Sequence, residues 1–445
     1  MILLFSLLVI AIAVLLVLYG SEVRLTLLLA AVLLASLVGE PLSVLRTFLD
    51  TFASEQFLVP IGCCMGFAFV LRHTECDQHL VHLLSEPLQS VRPLLLPGSV
   101  LVGVLVNIPL ISQASTAVTV GAVLVPILRA ARYGPVTIGA TLAMGCSIGG
   151  ELLNPGAPEL RSILAVRGPN DPAAQSIDIV RRVLPLLLVH LAVAVPLFWW
   201  LSRNDFEENS TQERQPVAFH PNWFKAFLPL LPVVLLFLTA LPPPFRLITI
   251  PPEWLLNAQS SRGAFDSRLV GAAMLIGTLV VSLSDLARAW QVGKVFFEGA
   301  GYALTHITSL IIAAKSFGDA VARVGLGSLL GQLIDSIPSL LWPMAALLPM
   351  GFGWVCGSGM ASTESLYRFY DPPAMAQQAD PLQVGALVSL AAATGRTLSP
   401  VAAVVLMAAL LSGATPLAIV RRITLPLLAG LTAATLLASA LGRSA

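Results

Sequence analysis

Two apolar stretches of this chain are interrupted by residues that a membrane-buried helix has no use for unless something is bound there. The later one reads Gly357-Ser358-Gly359-Met360-Ala361-Ser362-Thr363 and, further on, Thr394-Gly395-Arg396-Thr397-Leu398-Ser399-Pro400. The earlier one reads Gln113-Ala114-Ser115-Thr116 and then Gly149-Gly150-Glu151-Leu152-Leu153-Asn154-Pro155. The same unusual pattern occurs twice, in the same order. Composition supplies the solvent: 56% of the 445 residues are hydrophobic and 11% charged, far below the roughly 25% charged residues of a soluble domain. The chain therefore reads as an all-α polytopic membrane protein.

A net charge of +1 offers no basic face for phosphates, so no nucleic acid is expected as a partner. Five cysteines, odd in number and without metal-ligand spacing, point to packing rather than disulfides or zinc. The run from Met1 to Tyr19 lacks a basic leader and is long enough to span, so it reads as a permanent helix rather than a cleaved signal. Further spans are expected at 25–38, 57–71, 136–149, 183–201, 223–241, 269–283, 299–314, 384–395 and 417–441. The stretch 94–128 is cut by Pro109, Gln113, Ser115 and Thr116 into arms too short to cross, which predicts a re-entrant hairpin with its tip at Ser115 and Thr116. A second hairpin is expected at 340–375.

The chain divides at its most hydrophilic run into a first repeat (1–201), a polar linker (202–222) and a second repeat (223–445). Arg24-Leu25 aligns with Arg268-Leu269, Ala114-Ser115-Thr116 with Ala361-Ser362-Thr363, and Ile179-Val180-Arg181-Arg182 with Ile419-Val420-Arg421-Arg422. In this alignment Gly150 falls on Gly395 and Glu151 on Arg396. About five crossings plus one hairpin per repeat is an odd count, so the repeats should be inverted relative to each other. Inverted repeats with interrupted helices are the plan of secondary transporters.

A helix broken at membrane depth exposes backbone donors at one new end and acceptors at the other, and so holds ions without ionised side chains. The expected breaks are at 149–155 and 395–400, where glycine and proline supply them. The candidates for substrate contact are Ser115, Thr116, Asn154, Ser358, Ser362, Thr363, Arg396, Thr397 and Ser399. Those for a coupling ion are Gln113, Gly149, Gly150, Glu151, Thr394 and His306. Each has a plainer reading as a small packing residue at a helix contact. Arg396 is the sharpest: its planar fork suits a carboxylate, while its repeat mate Glu151 offers a rival role as a structural ion pair. His306 could relay protons or simply pack, Lys315 could snorkel, and Glu364 follows the second tip. His190 has no partner that the sequence names.

The stretches Ile61-Gly62-Cys63-Cys64-Met65-Gly66-Phe67, Gly145 to Leu160, and Gly351-Phe352-Gly353-Trp354-Val355-Cys356-Gly357-Ser358-Gly359 resemble the DcuC-type family of four-carbon dicarboxylate carriers. The repeat plan is similar to the wider ion transporter superfamily. That resemblance implies a multi-pass protein of the cell (inner) membrane, a homodimer by analogy, and transport of succinate, fumarate or malate by an elevator motion. Related carriers take gluconate, citrate or short-chain fatty acids. The superfamily's hairpin tips carry a Ser-Asn-Thr signature for sodium and carboxylate. Ala114-Ser115-Thr116 and Ala361-Ser362-Thr363 lack its asparagine, which leaves sodium coupling, proton coupling and exchange all open. No cofactor and no metal beyond a sodium ion is expected, and no enzyme activity. The rival from another class is an intramembrane serine hydrolase using Ser358 with His306 or His190, for which no third group is at hand.

Overall fold

A computed structural model describes residues 2–18, 21–85, 94–167, 174–203, 205, 221–240, 262–325, 332, 334 and 336–442. Helices account for nearly all of them. In chain order they are α1 (Ile2–Leu18), α2 (Val23–Leu37), α3 (Leu42–Phe52), α4 (Glu55–His73), α5 (Cys76–Ser85), α6 (Leu95–Asn107), α7 (Gln113–Ala130), α8 (Pro135–Gly145), α9 (Pro158–Arg167) and α10 (Ser176–Ser202). There follow α11 (Trp223–Phe227), α12 (Leu231–Ala240), α13 (Arg262–Ser284), α14 (Leu286–Ala303), α15 (Ser309–Arg323), α16 (Leu341–Cys356), α17 (Gly359–Leu366), α18 (Asp371–Ala376), α19 (Pro381–Thr397), α20 (Ala403–Ser412) and α21 (Pro416–Leu441). Most of the linker and the proline-rich segment after α12 lie outside the described residues.

The helices sort into two bodies. In one, the frame, α4 lies against α13 and α14, α15 lies against α2 and α3, and α1 and α12 pack on α2 and α13. The other, the hairpin body, packs α6 on α8, α16 on α19, α10 on α21 and α19, and α20 on α7 and α8. Each body draws on both ends of the sequence. Within the hairpin body α8 and α19 are enclosed: every residue from Thr137 to Gly145 and from Leu382 to Thr397 is buried. Around them α10 and α21 keep one apolar face outward, through Leu184, Leu188, Leu425 and Leu436. Among the described residues, five helices or helix runs are long and apolar enough to cross a membrane, among them Ser176–Ser202 and Pro416–Leu441. The protein is a multi-pass membrane protein.

The bodies touch mainly through α15 and α17. Ser365 Oγ donates to the Ala314 carbonyl at 3.2 Å. Asp319 pairs with Arg368 and accepts from Thr47 Oγ1 at 2.8 Å.

Both hairpins form, with two differences from expectation. The first turns at residues 108–112, and Ser115 and Thr116 lie in the opening turn of α7 rather than at the tip. The second returns in pieces, α17 being followed by a 3-10 turn and the short α18, because Pro372 and Pro373 cannot continue a helix as donors. Thirteen residues in α6 make about 20 Å of helix, short of the ~30 Å hydrocarbon core. The first hairpin therefore turns back short of a full crossing, whereas the run Pro338–Cys356 that opens the second is long enough to span.

Glycines set how closely the hairpins approach the buried helices. A Cβ on Gly103 would lie 2.7 Å from the Gly145 carbonyl carbon, one on Gly353 would lie 2.7 Å from the Ala392 oxygen, and one on Gly395 would lie 2.0 Å from the Met350 oxygen. Gly395 is therefore a close-packing residue inside α19, and the break comes later, at 398–402.

Gly395→Ala is expected to lower the unfolding midpoint in detergent, an overpacking cost of roughly 1–3 kcal/mol. Gly351→Ala, where an added Cβ meets nothing within 4 Å, should leave it unchanged. Equal midpoints for the two variants would refute the close-packing role.

Candidate functional site

Each hairpin tip is held by side chains that take up its backbone groups. At the first tip, Asn107 Nδ2 donates to the Leu110 carbonyl at 2.9 Å and to Thr116 Oγ1 at 3.3 Å, while its Oδ1 accepts the Glu151 N–H at 3.2 Å. Thr116 Oγ1 lies 3.0 Å from the carbonyls of both Leu110 and Ser112, and its one proton serves one of them at a time. Asn154 Nδ2 donates to the Ile108 carbonyl at 2.9 Å. These bonds occupy the carbonyls left over where α6 ends. Thr116 and Asn154 thus shape the tip. The side chain of Ser115 lies outside the described residues.

At the second tip Gly357 adopts the left-handed conformation that ends α16, with φ 65°. Ser358 then caps α17, its Oγ accepting the Ala361 N–H at 3.2 Å. Ser362 Oγ donates to the Pro349 carbonyl at 2.6 Å, which pins α17 to α16. Thr363 and Ser399 are buried, and their hydroxyls have no partner among the described residues. Thr394 Oγ1 bonds back to Leu390 within its helix. Gly149, at φ 121°, makes the turn that opens the first break. Gly150 lets Val104 approach, since a Cβ there would lie 2.5 Å from its carbonyl oxygen.

Between the two breaks lies a buried charged cluster. Arg396, in the last turn of α19, donates from Nη2 to Glu151 Oε1 at 2.5 Å and to the Ser147 carbonyl at 2.7 Å, and from Nε to Ser147 Oγ at 3.1 Å. Its Nη1 lies 3.5 Å from Glu159 Oε1. Thr397 Oγ1 is 2.9 Å from both oxygens of Ser147 and 2.8 Å from the Ala393 carbonyl. The side chains of Arg396, Glu151 and Glu159 are 5%, 0% and 1% exposed. The arginine stands where α8 and α19 both end, at the negative poles of two helices, and Glu159 opens α9 at a positive one. A lone arginine at the membrane centre would cost about 2.5–3.5 kcal/mol by the lower insertion scales. Here its neighbours offset that cost, and the ion pair with Glu151 is made.

A cavity of about 210 Å³ opens beside this cluster. Its walls come from the first residues of four helices: Gln113 and Ala114 of α7, Pro158 and Glu159 of α9, Gly359's neighbours Ser358 and Met360 at α17, and Ala403 and Val404 of α20. Arg396 completes that side, and Tyr302, His306 and Ile307 of the frame face it. The frame is irregular there, with a π-helical turn at Leu304–Thr308 between α14 and α15. Arg24 Nη1 donates to the Thr305 carbonyl within that turn at 2.6 Å. His306 stacks on Tyr302 with ring centroids 4.0 Å apart and has Nδ1 3.1 Å from the Tyr302 carbonyl.

Of the residues singled out in the sequence, Gln113, Ser358, Arg396 and His306 line the cavity, and Glu151 stands behind Arg396. Thr116, Asn154, Ser362, Thr394 and Thr397 hold the surrounding backbone instead. Glu159, Tyr302 and Asn107 were missed. The Pro158-Glu159 pair after a break is a helix-start signature that could have found Glu159. Among the described residues no hydrogen bond joins Ser358 to a histidine: the Ser358 oxygen caps α17, and His190, in α10, has neither ring nitrogen bonded.

Comparison with known proteins agrees with this architecture. The chain is 35% identical over 119 residues to an uncharacterized transporter of Haemophilus influenzae, covering 82% of that protein and 27% of this chain. It is 25% identical over 384 residues to the anaerobic C4-dicarboxylate transporter DcuC of Escherichia coli K12, covering 82% of this chain and 77% of that one. The chain belongs to the DcuC-type transporter family. No protein-family model matches it. In three dimensions the family member resembles the YdaH transporter of Alcanivorax borkumensis, whose topology is described as unusual, at 16% identity and a TM-score of 0.58, over 91% of this chain and 89% of the other. That likeness is one of fold.

Arg396→Met should destabilise the folded protein by about 3–5 kcal/mol, the cost of leaving a buried carboxylate without its partner. Adding Glu151→Gln should recover a large part of the loss, read as a double-mutant cycle of detergent unfolding. Additive losses would show that the two side chains are not coupled.

Proposed function

We propose that the protein is a secondary transporter of small organic anions, most readily four-carbon dicarboxylates such as succinate, fumarate and malate, working by elevator-type alternating access. The observation that carries this reading is the convergence of four helix N-termini and the Arg396 guanidinium on one cavity between the two bodies. Unbonded N–H groups at helix starts attract an anion without a compensating side chain. Arg396 Nη1, the nitrogen not taken by Glu151 or Ser147, adds a charged donor for one carboxylate, and the tip amides suit the other. The dicarboxylate named for the relative DcuC is of this kind.

The two-body packing supports the elevator reading. Both hairpins belong to one body, and the cavity's opposite wall, Tyr302 and His306, belongs to the other. Sliding of the hairpin body past the frame would carry the bound anion across. Helix pairs also recur in exchanged form: α4 against α13 and α14 is matched by α15 against α2 and α3. That pairing supports inverted repeats of 1–201 and 223–445. In the cell the protein would lie in the inner membrane as a homodimer. A carrier of gluconate, citrate or short-chain fatty acids uses the same N-termini and differs in pocket shape.

Counterflow of radiolabelled succinate into proteoliposomes should appear with the wild type and fall by at least tenfold in Arg396→Lys, whose single ammonium cannot hold Glu151 and Ser147 and still present a donor to the cavity. Exchange of citrate, gluconate or butyrate with none of succinate would move the substrate to the alternative class. Counterflow of no carboxylate at all would refute the reading. Oxidising an Ala314→Cys, Ser365→Cys pair, in a background without the native cysteines, should arrest transport until a reductant is added. Transport at full rate with the bond formed would exclude sliding between α15 and α17.

A further inference from the structure

The charge of Arg396 is already matched. Its short contact is to Glu151, which is not among the residues lining the cavity, and the Ser147 carbonyl shares the same nitrogen. Glu159 is the surplus carboxylate. It lines the cavity, its nearer oxygen stands 3.5 Å from Arg396 Nη1, and its other oxygen, Oε2, is buried with no hydrogen-bond partner among the described residues. A fixed negative charge in the wall opposes an incoming anion in a site where water screens little. The same oxygen carrying a proton would be a hydrogen-bond donor to that anion.

Resting on the reading of the cavity as an anion-transport site, we propose that Glu159 is its proton-coupling residue: the anion takes the Nη1 face of Arg396 as Glu159 gains a proton from the open side. With the cavity empty, the Glu159 carboxylate rests against Nη1. When a carboxylate enters, it replaces Glu159 there, and Glu159 binds one proton on an oxygen, becoming a neutral donor. Release of the anion on the other side returns Glu159 to Arg396 and its proton to water. Anion and proton are thereby bound together, and each raises the affinity for the other by the same factor.

The other charged and titratable groups around Glu159 fit this division. Arg396 and Glu151 form the pair behind it. Arg161, on its own helix, has Nη2 3.4 Å from the Pro155 carbonyl. Arg167 pairs with Asp371 at 3.6 Å at the far end of α9. From α17 comes Glu364, from the turn after it Tyr367 and Arg368, and from α4 Cys64, whose sulfur would lie 2.9 Å from a Cβ on Gly156. His306 faces Glu159 across the cavity. Of these, Arg396, Glu159 and His306 line the cavity, and Glu159 is the one in contact with the guanidinium there.

The test is accumulation of succinate in proteoliposomes at clamped voltage. For one coupled proton a gradient of one pH unit, acid outside, should drive about tenfold accumulation by the wild type, since one pH unit is a tenfold proton ratio. Glu159→Gln should lose the response to the gradient, its accumulation ratio falling to one, and Glu159→Asp should retain it. In parallel, succinate added to purified protein in weakly buffered detergent, at a pH where free succinate is fully ionised, should take up about one proton per anion bound. Accumulation by Glu159→Gln equal to the wild type, proton-free binding by the wild type, or accumulation driven by a sodium gradient instead would each overturn the proposal. Those results leave the transporter reading standing if counterflow is seen, whereas absence of counterflow removes that reading and this one together.

Discussion

Backbone amides need partners, and a membrane supplies none. The hairpin body meets this constraint by spending four helix starts on one place. Two hairpins bring in the starts of α7 and α17, and two breaks bring in those of α9 and α20. The carbonyls freed by the same interruptions are absorbed locally, by Asn107, Thr116 and Asn154 at one tip and by Arg396 and Thr397 at the first break. The four helix starts are thereby left facing one cavity, with Arg396 and Glu159 in its wall.

Such a site must be rigid, and its rigidity comes from close backbone contact rather than from bulky side chains. The Gly103–Gly145 approach and the Gly353 and Gly395 contacts let each hairpin lie directly on the buried helix it serves. Dispersion acts at its shortest range there, and the contacts leave few rotamers to order. The buried charged cluster adds direction. Serine, threonine and arginine side chains lock α8's end to α19's end across the body, so the two breaks keep a fixed separation.

Much of this was legible in the residues. Apolar length located the long helices, five of which among the described residues can cross a membrane, and the small polar interruptions marked both hairpins and both breaks. The exact turns were not legible, because a run such as Pro109 to Thr116 contains several residues able to begin a helix. Gln113 wins, with the Thr116 hydroxyl turned back to cap carbonyls rather than forward to a ligand. Short helices such as α3 and α5 escaped notice because neither is long enough to span. Glu159 escaped because its importance depends on which side of Arg396 it approaches, a fact of three dimensions.

The π-helical turn at Leu304–Thr308 imposes something further on the frame. One residue more than an α-turn requires is stored there, and Arg24 clasps the carbonyl of Thr305. Were that turn to relax into ordinary α-helix, everything beyond it would rotate by about 100°, one residue's worth of helical angle. His306 would swing off the cavity, and the whole of α15, with Asp319 and its grip on Arg368, would turn with it. A single extra residue thus ties the frame's wall of the cavity to the clasp between the two bodies, so that neither can reset without the other.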